Sequence, residues 1–492
     1  VSVRHARTRY HVMVVTGATI AIAGSVIGAV RMFGLGGEMV HGMPMSDMPE
    51  MVLAGGGILL ALAGALLRGA PRTPVPATKR FRGRGLVAFI ATTALTIDIS
   101  KTSTLGFVIP GMRAEYGLGP TAASMLAVAG LSGTATGALL FSRLADRVGR
   151  RLTYVIATLG FTATSLCAGM PTFGGNVVMC FLMGITVGGL APLLITMLTD
   201  LFPGGARGPV VTGLSVVATA VGFLVASGSA LWLEPVYGWR MLWLIGAPTG
   251  LLLTLAAVLV PQRAPAATEP SGGGTRELDG RPRRIARAAF TIRLQWLYAA
   301  VVGLMTFGLT TWVPTLARAG DLAPTTANTL LTAVAVAMVP GAVLVAVAYR
   351  RFGTIPLAVA MATGTAALLL GLVTSGVTAA VPWLAAAMLA GSLFAVNTLA
   401  AIFLPIAADL AGSASRGRVT GTVSFSNRIG GLTGPLALSL IVSSVTDVLT
   451  AVAVLALCCG AIAWYTGHRH RAVRADLERE ARMLTAPGVP PG

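Results

Sequence analysis

The sequence predicts an all-α polytopic membrane protein: a twelve-helix core of two six-helix halves, preceded by two further membrane-crossing helices. Three observations carry that expectation. Of the 492 residues, 55% are hydrophobic and only 11% charged, where a soluble domain carries about 25% charged residues. Fourteen apolar runs approach the length needed to cross a bilayer, about 20 residues of helix for a hydrocarbon core roughly 30 Å thick. The basic residues, 36 Lys and Arg against 17 Asp and Glu, fall on alternate loops. An ordinary soluble enzyme is excluded.

The runs cover 12–33, 49–68, 86–110, 121–141, 152–170, 173–200, 209–232, 238–261, 292–317, 326–349, 355–374, 380–407, 418–441 and 447–467. Each is continuously apolar, whereas strands of a membrane barrel are about 10 residues long and alternate, so each is a helix. The first follows Arg4, Arg7 and Arg9 and resembles a secretory signal. It is long for one, no small-x-small cleavage site precedes Gly34, and a second span follows, so it is read as a retained helix. Cys167, Cys180, Cys458 and Cys459 all lie within apolar runs and are expected to be small buried hydrophobes, not a disulfide framework or a zinc site.

Positively charged loops remain on the cytoplasmic side. With both termini inside and the runs alternating, 30 of the 36 basic residues fall inside and only Arg31, Arg113, Arg240 and Arg318 outside. The net charge of +19 therefore needs no nucleic acid partner. Localisation in a cell or inner membrane with cytoplasmic termini follows as an expectation.

The longest polar stretch, with Ser271-Gly-Gly-Gly and Arg281, Arg283, Arg284 and Arg287, has the composition of a linker. The expected organisation is 1–78 for the additional pair, 79–261 for the first half, 262–291 for a cytoplasmic linker, 292–468 for the second half and 469–492 for a cytoplasmic tail. An internal repeat relates the halves. Asp200 to Arg207, followed by Gly208 and Thr212-Gly213, matches Asp409 to Arg416, followed by Gly417 and Thr420-Gly421. Both stand after the fourth helix of their half, as duplication of a six-helix unit would place them.

Between the second and third core helices stands Ser142-Arg-Leu-Ala-Asp146-Arg147-Val-Gly149-Arg150-Arg151. This segment resembles the signature loop of the major facilitator superfamily, with Ser142 at the place of the usual first glycine, and the resemblance covers roughly residues 80–468. It implies alternating access by rocking of two halves, with this loop latching them on the cytoplasmic side. Physically, Asp146 beside a helix start and among arginines suits N–H capping and charge-assisted pairing. Two features of proton-coupled exporters in the family are absent: Cys180 stands where the fourth core helix often carries arginine, and Gly213 to Gly222 contains no proline.

An ionisable side chain at bilayer depth marks a functional site by default. Asp98 and Lys101 lie three residues apart in the first core helix, on one face. Arg428, beside Asn427, lies midway along the eleventh. Asp98 is expected to exchange a proton or to pair with Lys101, and Lys101 and Arg428 to present positive charge to a central cavity. A guanidinium suits bidentate capture of a carboxylate. The resemblance implies that the first, fourth, seventh and tenth core helices line the path, which adds Asn397, Gln295, Tyr298 and Trp312. Arg240 and Arg293, near helix ends, are expected to be snorkelling anchors.

The loop between the two additional helices holds Met39, His41, Met43, Met45 and Met48. Thioether and imidazole are soft ligands suited to Cu(I); an incidental loop at the membrane boundary is the simpler reading. The expected function is secondary active transport of a small solute, ion- or proton-coupled, with a small organic anion as the first choice. Efflux of hydrophobic drugs and copper handling are the alternatives. No cofactor, no enzymatic activity and a monomer in the bilayer are expected.

Overall fold

The computed structural model describes residues 2–35, 48–68, 83–202, 204–260, 291–308, 324–374, 382–411, 416–441 and 445–485, and these are nearly all helical. Two helices, α1 (Ser2–Leu35) and α2 (Pro49–Arg68), precede the core. The first half contains α3 (Arg84–Tyr116), α4 (Pro120–Val148), α5 (Arg150–Thr164), α6 (Phe173–Gly188), α7 (Leu190–Leu201) and α8 (Gly204–Trp232). It ends with the short α9 (Glu234–Tyr237), then α10 (Arg240–Leu244) and α11 (Gly246–Ala256). The second half contains α12 (291–308), α13 (Pro324–Phe352), α14 (Thr354–Thr374), α15 (Pro382–Leu410), α16 (Arg416–Ile441) and α17 (Val445–Thr485).

Twelve helical stretches of the described residues are long and apolar enough to cross a membrane, including Arg9–Gly34 and Pro49–Leu67 ahead of the core. Two of the fourteen expected runs do not enter that set. Helix α12 is described over 291–308 only, and α16 carries Arg416, Arg418, Arg428 and a series of hydroxyls and glycines. Two expected spans are broken. The run 173–200 divides at Gly188 and Gly189 into α6 and α7, and the run 238–261 divides at Ile245 into α10 and α11. At the other end, α17 continues as helix to Thr485, so the residues expected as a separate tail from 469 begin as an extension of the last span.

Lipid tails are as apolar as leucine, so burial from water does not drive these helices together; close backbone approach does. Helices α4 and α6 meet through Gly133, Gly137, Gly184 and Gly188, where an added Cβ would strike the carbonyls of Phe181, Ile185, Gly130 and Thr134 respectively. The α1–α2 pair uses the same device, with Gly24 so placed that a Cβ would lie 2.7 Å from the Ala54 nitrogen. This pair docks on α5 and α11, the flank of the first half facing away from the second half. At the junction the buried thioethers of Met32 and Met48 cover Gly169. Arg31 pairs with buried Glu50 at 3.4 Å.

The halves meet along α4 with α16 and α8 with α13. Ser142, which replaces the usual glycine of the signature loop, lies directly against Gly421, whose added Cβ would sit 2.7 Å from the Ser142 Oγ. Deeper in, the Ser215 hydroxyl donates to the Ala401 carbonyl at 2.6 Å. The Thr196 and Thr420 hydroxyls bond each other at 3.2 Å. These contacts gather at the end of the bundle that carries the arginine-rich loops.

Forcing a branched side chain into the α4–α6 contact is predicted to cost about 1–3 kcal/mol. Gly137→Ile should lower the detergent melting temperature, while Gly56→Ile, where nothing lies within 4 Å, should leave it unchanged; equal effects would contradict the packing account.

Candidate functional site

A cavity lies between the halves, midway along the helices. It encloses about 600 Å³ of empty space including its open mouth. Ile99, Thr102 and Ser103 of α3 and Thr219 of α8 form one wall. Thr306 and Phe307 of α12, Asn397, Ala400 and Phe403 of α15, and Asn427 and Arg428 of α16 form the other. Helices α3, α8, α12 and α15 each contribute a small or hydroxylated residue to this cavity, and α16 contributes an amide and a guanidinium.

Arg428 is the cation of this cavity. It is 9% exposed, its guanidinium lies 5.2 Å from the centre of the Phe307 ring, and among the described residues its Nε has no hydrogen-bond partner. A desolvated guanidinium over an aromatic face gains on the order of 2 kcal/mol, which offsets part of the several kcal/mol that burying an ion costs. Asp98, 1% exposed, interacts with Arg428 through space. Among the described residues no ion pair joins them, and Asp98 Oδ1 has no hydrogen-bond partner. Two opposite charges are thus held near each other at bilayer depth with part of their bonding capacity unused.

Lys101 stands elsewhere. Its Nζ donates to the carbonyls of Leu242 at 2.6 Å and Trp243 at 3.0 Å. These belong to the last turn of α10, where a helix end leaves carbonyls without partners and favours a cation. Lys101 is therefore absent from the central cavity wall and bonds within its own half. Asn397 and Asn427 do line the cavity; the Asn397 amide donates to Leu393 at 2.8 Å and that of Asn427 to Ala299 at 2.9 Å. Gln295 joins α12 to α15 through the Phe403 carbonyl at 3.3 Å, and Tyr298 is buried outside the cavity wall. Trp312 lies outside the described residues, as do Met39, His41, Met43 and Met45 and the side chains of Arg207 and Asp409. Met48 is buried against Gly169. Among the described residues no group of three or more His, Cys, Asp or Glu could hold a metal.

At the arginine-rich end, Asp200 receives both Arg150, from the signature loop, and Arg416, from the second half. Arg416 also donates to the Ala408 carbonyl at 3.2 Å. Asp146 ends α4 and does not cap α5, whose N-cap Gly149 has no side-chain partner. It faces the first turn of α16 instead, 3.6 Å from Arg418 Nε and 3.9 Å from where a Gly417 Cβ would lie. That places a carboxylate at the positive end of a helix dipole in the opposite half. Gly149 itself has φ +92°, open to glycine without strain. Arg147 and Arg151 lie beside this cluster in the chain.

Two further expectations are corrected. Arg240 is not a snorkelling anchor: at 3% exposure it pairs with Glu115 at 2.5 Å and donates to the carbonyls of Ala168 and Met170 and to the Tyr116 hydroxyl. Its partners come from α3 and from the α5–α6 connection, which no local pattern around residue 240 reveals. Cys458 is exposed, while Cys167, Cys180 and Cys459 are buried; neighbouring helical positions point about 100° apart, so Cys458 and Cys459 cannot share one face. Arg293 is exposed, as an anchor would be.

The Major Facilitator Superfamily profile matches residues 85–435. The chain belongs to the Major Facilitator Superfamily. Among relatives of this membrane transporter, the gallate transporter of Pseudomonas putida is 30% identical over 313 residues, covering 57% of this chain and 69% of that one. The 4-hydroxybenzoate transporter PcaK of Acinetobacter baylyi is 28% identical, covering 36% of this chain and 39% of its own length. The niacin transporter NiaP of the same organism is 27% identical, covering 34% and 38%. The match thus spans well under half of the last two. A D-xylose–proton symporter structure superposes with a TM-score of 0.60 at 16% identity, covering 77% of this chain and 96% of that one, which shows the shared fold. The two additional N-terminal helices lie outside the matched family region.

Asp200 is the shared anchor of two arginines from opposite halves. Asp200→Ala should destabilise the protein by on the order of 2–3 kcal/mol and depress transport at least tenfold, and Asp200→Glu should recover part of both. Wild-type transport rates in Asp200→Ala would contradict a latching role.

Proposed function

We propose that the protein moves a small aromatic carboxylate across the cell membrane by alternating access, coupled to protons, with Arg428 as the carboxylate receptor. The observation that carries this is the buried, incompletely bonded guanidinium of Arg428 on the wall of a cavity between the two halves. A desolvated cation without an anionic partner is costly, and a bound carboxylate supplies the missing charge and two charge-assisted hydrogen bonds. Phe307, Phe403, Ile99 and Ala400 offer the apolar contact that a flat ring needs. Gallate, 4-hydroxybenzoate and niacin, named for the relatives, are all ring carboxylates, which supports the same substrate class.

Asp98 is the proton carrier in this reading. Among the described residues it has no salt bridge and no bond to Oδ1, and its position lets its charge act on Arg428. Protonating it removes the competing negative charge, so substrate anion and proton enter together. The sign is definite: a carboxylate that must be protonated for binding gives tighter substrate binding as pH falls. The arginine-rich end, with the 142–151 loop and the linker, is assigned to the cytoplasm on the distribution of basic residues. In that orientation Asp200 and Asp146 close the inner side.

The test is uptake and counterflow of radiolabelled 4-hydroxybenzoate in proteoliposomes. Arg428→Ala should abolish both and raise the Kd at least about 30-fold, since truncating one member of a buried charge pair costs about 2–5 kcal/mol. Asp98→Asn should lose proton-driven accumulation and keep counterflow. Unchanged binding in Arg428→Ala, or pH-independent affinity in the unmodified protein, would sink the assignment.

A further inference from the structure

Within this cavity the guanidinium of Arg428 stands on one wall, beside the amides of Asn397 and Asn427, and two threonines stand on the other; that arrangement deepens the acid-carrier reading on which it rests. The second half contributes the donor Arg428. The opposite wall carries two threonines whose hydroxyl protons are already engaged. Thr102 Oγ1 donates to the Asp98 carbonyl at 3.0 Å, and Thr219 Oγ1 donates to the Ser215 carbonyl at 2.9 Å, each one turn back on its own helix. A hydroxyl has a single proton and two lone pairs. Both residues line the cavity, and with the proton committed to the backbone each hydroxyl oxygen is available to a ligand as an acceptor only. Ser103, beside them, keeps an uncommitted hydroxyl that serves in either sense.

We infer that Thr102 and Thr219 form an acceptor subsite opposite Arg428, which selects ring carboxylates bearing a hydrogen-bond donor, a hydroxyl or an amino group, over unsubstituted acids and over acids bearing an acceptor alone. The ligand chemistry follows from the wall. The carboxylate takes the guanidinium of one half, the ring lies against Phe307, Phe403, Ile99 and Ala400, and its far substituent gives a proton to the threonines of the other half. A donor-bearing ring therefore touches both halves at once. An unsubstituted ring leaves the threonine oxygens without a ligand partner. An ether oxygen there faces two acceptors, and lone pair meets lone pair.

The threonines also explain why side chains of this type stand on the α3 and α8 faces. Their backbone bonds pin each oxygen in place, so no rotamer entropy is lost when a ligand proton arrives. A net hydrogen bond contributes modestly in proteins, so the expected discrimination is about 3- to 10-fold per substituent.

The experiment is equilibrium binding to the purified full-length protein in detergent, using benzoate, 4-hydroxybenzoate, 4-aminobenzoate and 4-methoxybenzoate as probes. The unmodified protein should bind the hydroxy and amino acids about 3- to 10-fold more tightly than benzoate, and the methoxy acid no more tightly than benzoate. Thr219→Val and Thr102→Val should erase the advantage of 4-hydroxybenzoate while leaving the benzoate Kd in place, and Thr219→Ser, which retains the oxygen, should restore it. Equal affinities for benzoate and 4-hydroxybenzoate, or an advantage that survives in both valine variants, would overturn the subsite while leaving Arg428 as the carboxylate receptor. No saturable binding of any of the four acids would overturn the carrier reading and the subsite with it.

Discussion

A guanidinium in the middle of a membrane protein needs an anion, and the arrangement around Arg428 withholds one. Asp98 is close enough to act on it electrostatically and, among the described residues, forms no ion pair with it; Lys101, the buried cation of α3, is tied to carbonyls of α10. Phe307 covers one face of the guanidinium. The cost of burying the charge is therefore only partly offset by the protein itself. In the proposed reading a solute anion offsets the rest, in a cavity to which both halves contribute walls.

The remaining structure serves that site at two scales. Glycines along α4, α6, α8 and α16 bring helices so close that an added Cβ would strike a neighbouring carbonyl, the close packing that holds apolar helices together in lipid. Between the halves the contacts differ in kind: hydroxyl to hydroxyl at Thr196 and Thr420, hydroxyl to carbonyl at Ser215 and Ala401, and carboxylate to arginine at Asp200. Such polar contacts are exchangeable with water, so they can open without exposing a large apolar face. The additional pair α1–α2 packs on the flank away from this interface, where it leaves the rocking surface unobstructed.

Much of this was legible from residue order. Continuous apolar runs mark spans because lipid tolerates no unsatisfied backbone, and the charges of Asp98 and Arg428 stand out against those runs. The signature loop and the repeat drew notice to Arg150, Asp200 and Arg416, which the structure joins in one ion-pair cluster. The partner choice was not legible. Asp200 and Arg416 occupy different positions of the repeat, and the repeat alone does not reveal that Asp200 reaches across to the other copy's arginine. Arg240 reads locally as an anchor at a helix end, because Glu115 and Tyr116 lie more than 120 residues away in sequence. Thr102, Thr219, Phe307 and Phe403 carry no pattern of their own; only helix rotation brings them to one cavity. The acceptor character of the threonines depends on where a single proton goes, which is a property of geometry.

The central claim is that the anion sits on Arg428 between the halves. The most direct measurement is a structure of the protein with 4-bromobenzoate, whose bromine identifies the orientation of the ring. The account predicts the carboxylate on the Arg428 guanidinium and the bromine toward α3 and α8. A ring bound with its carboxylate at Lys101, or outside the cavity between α3, α8, α12, α15 and α16, would contradict it.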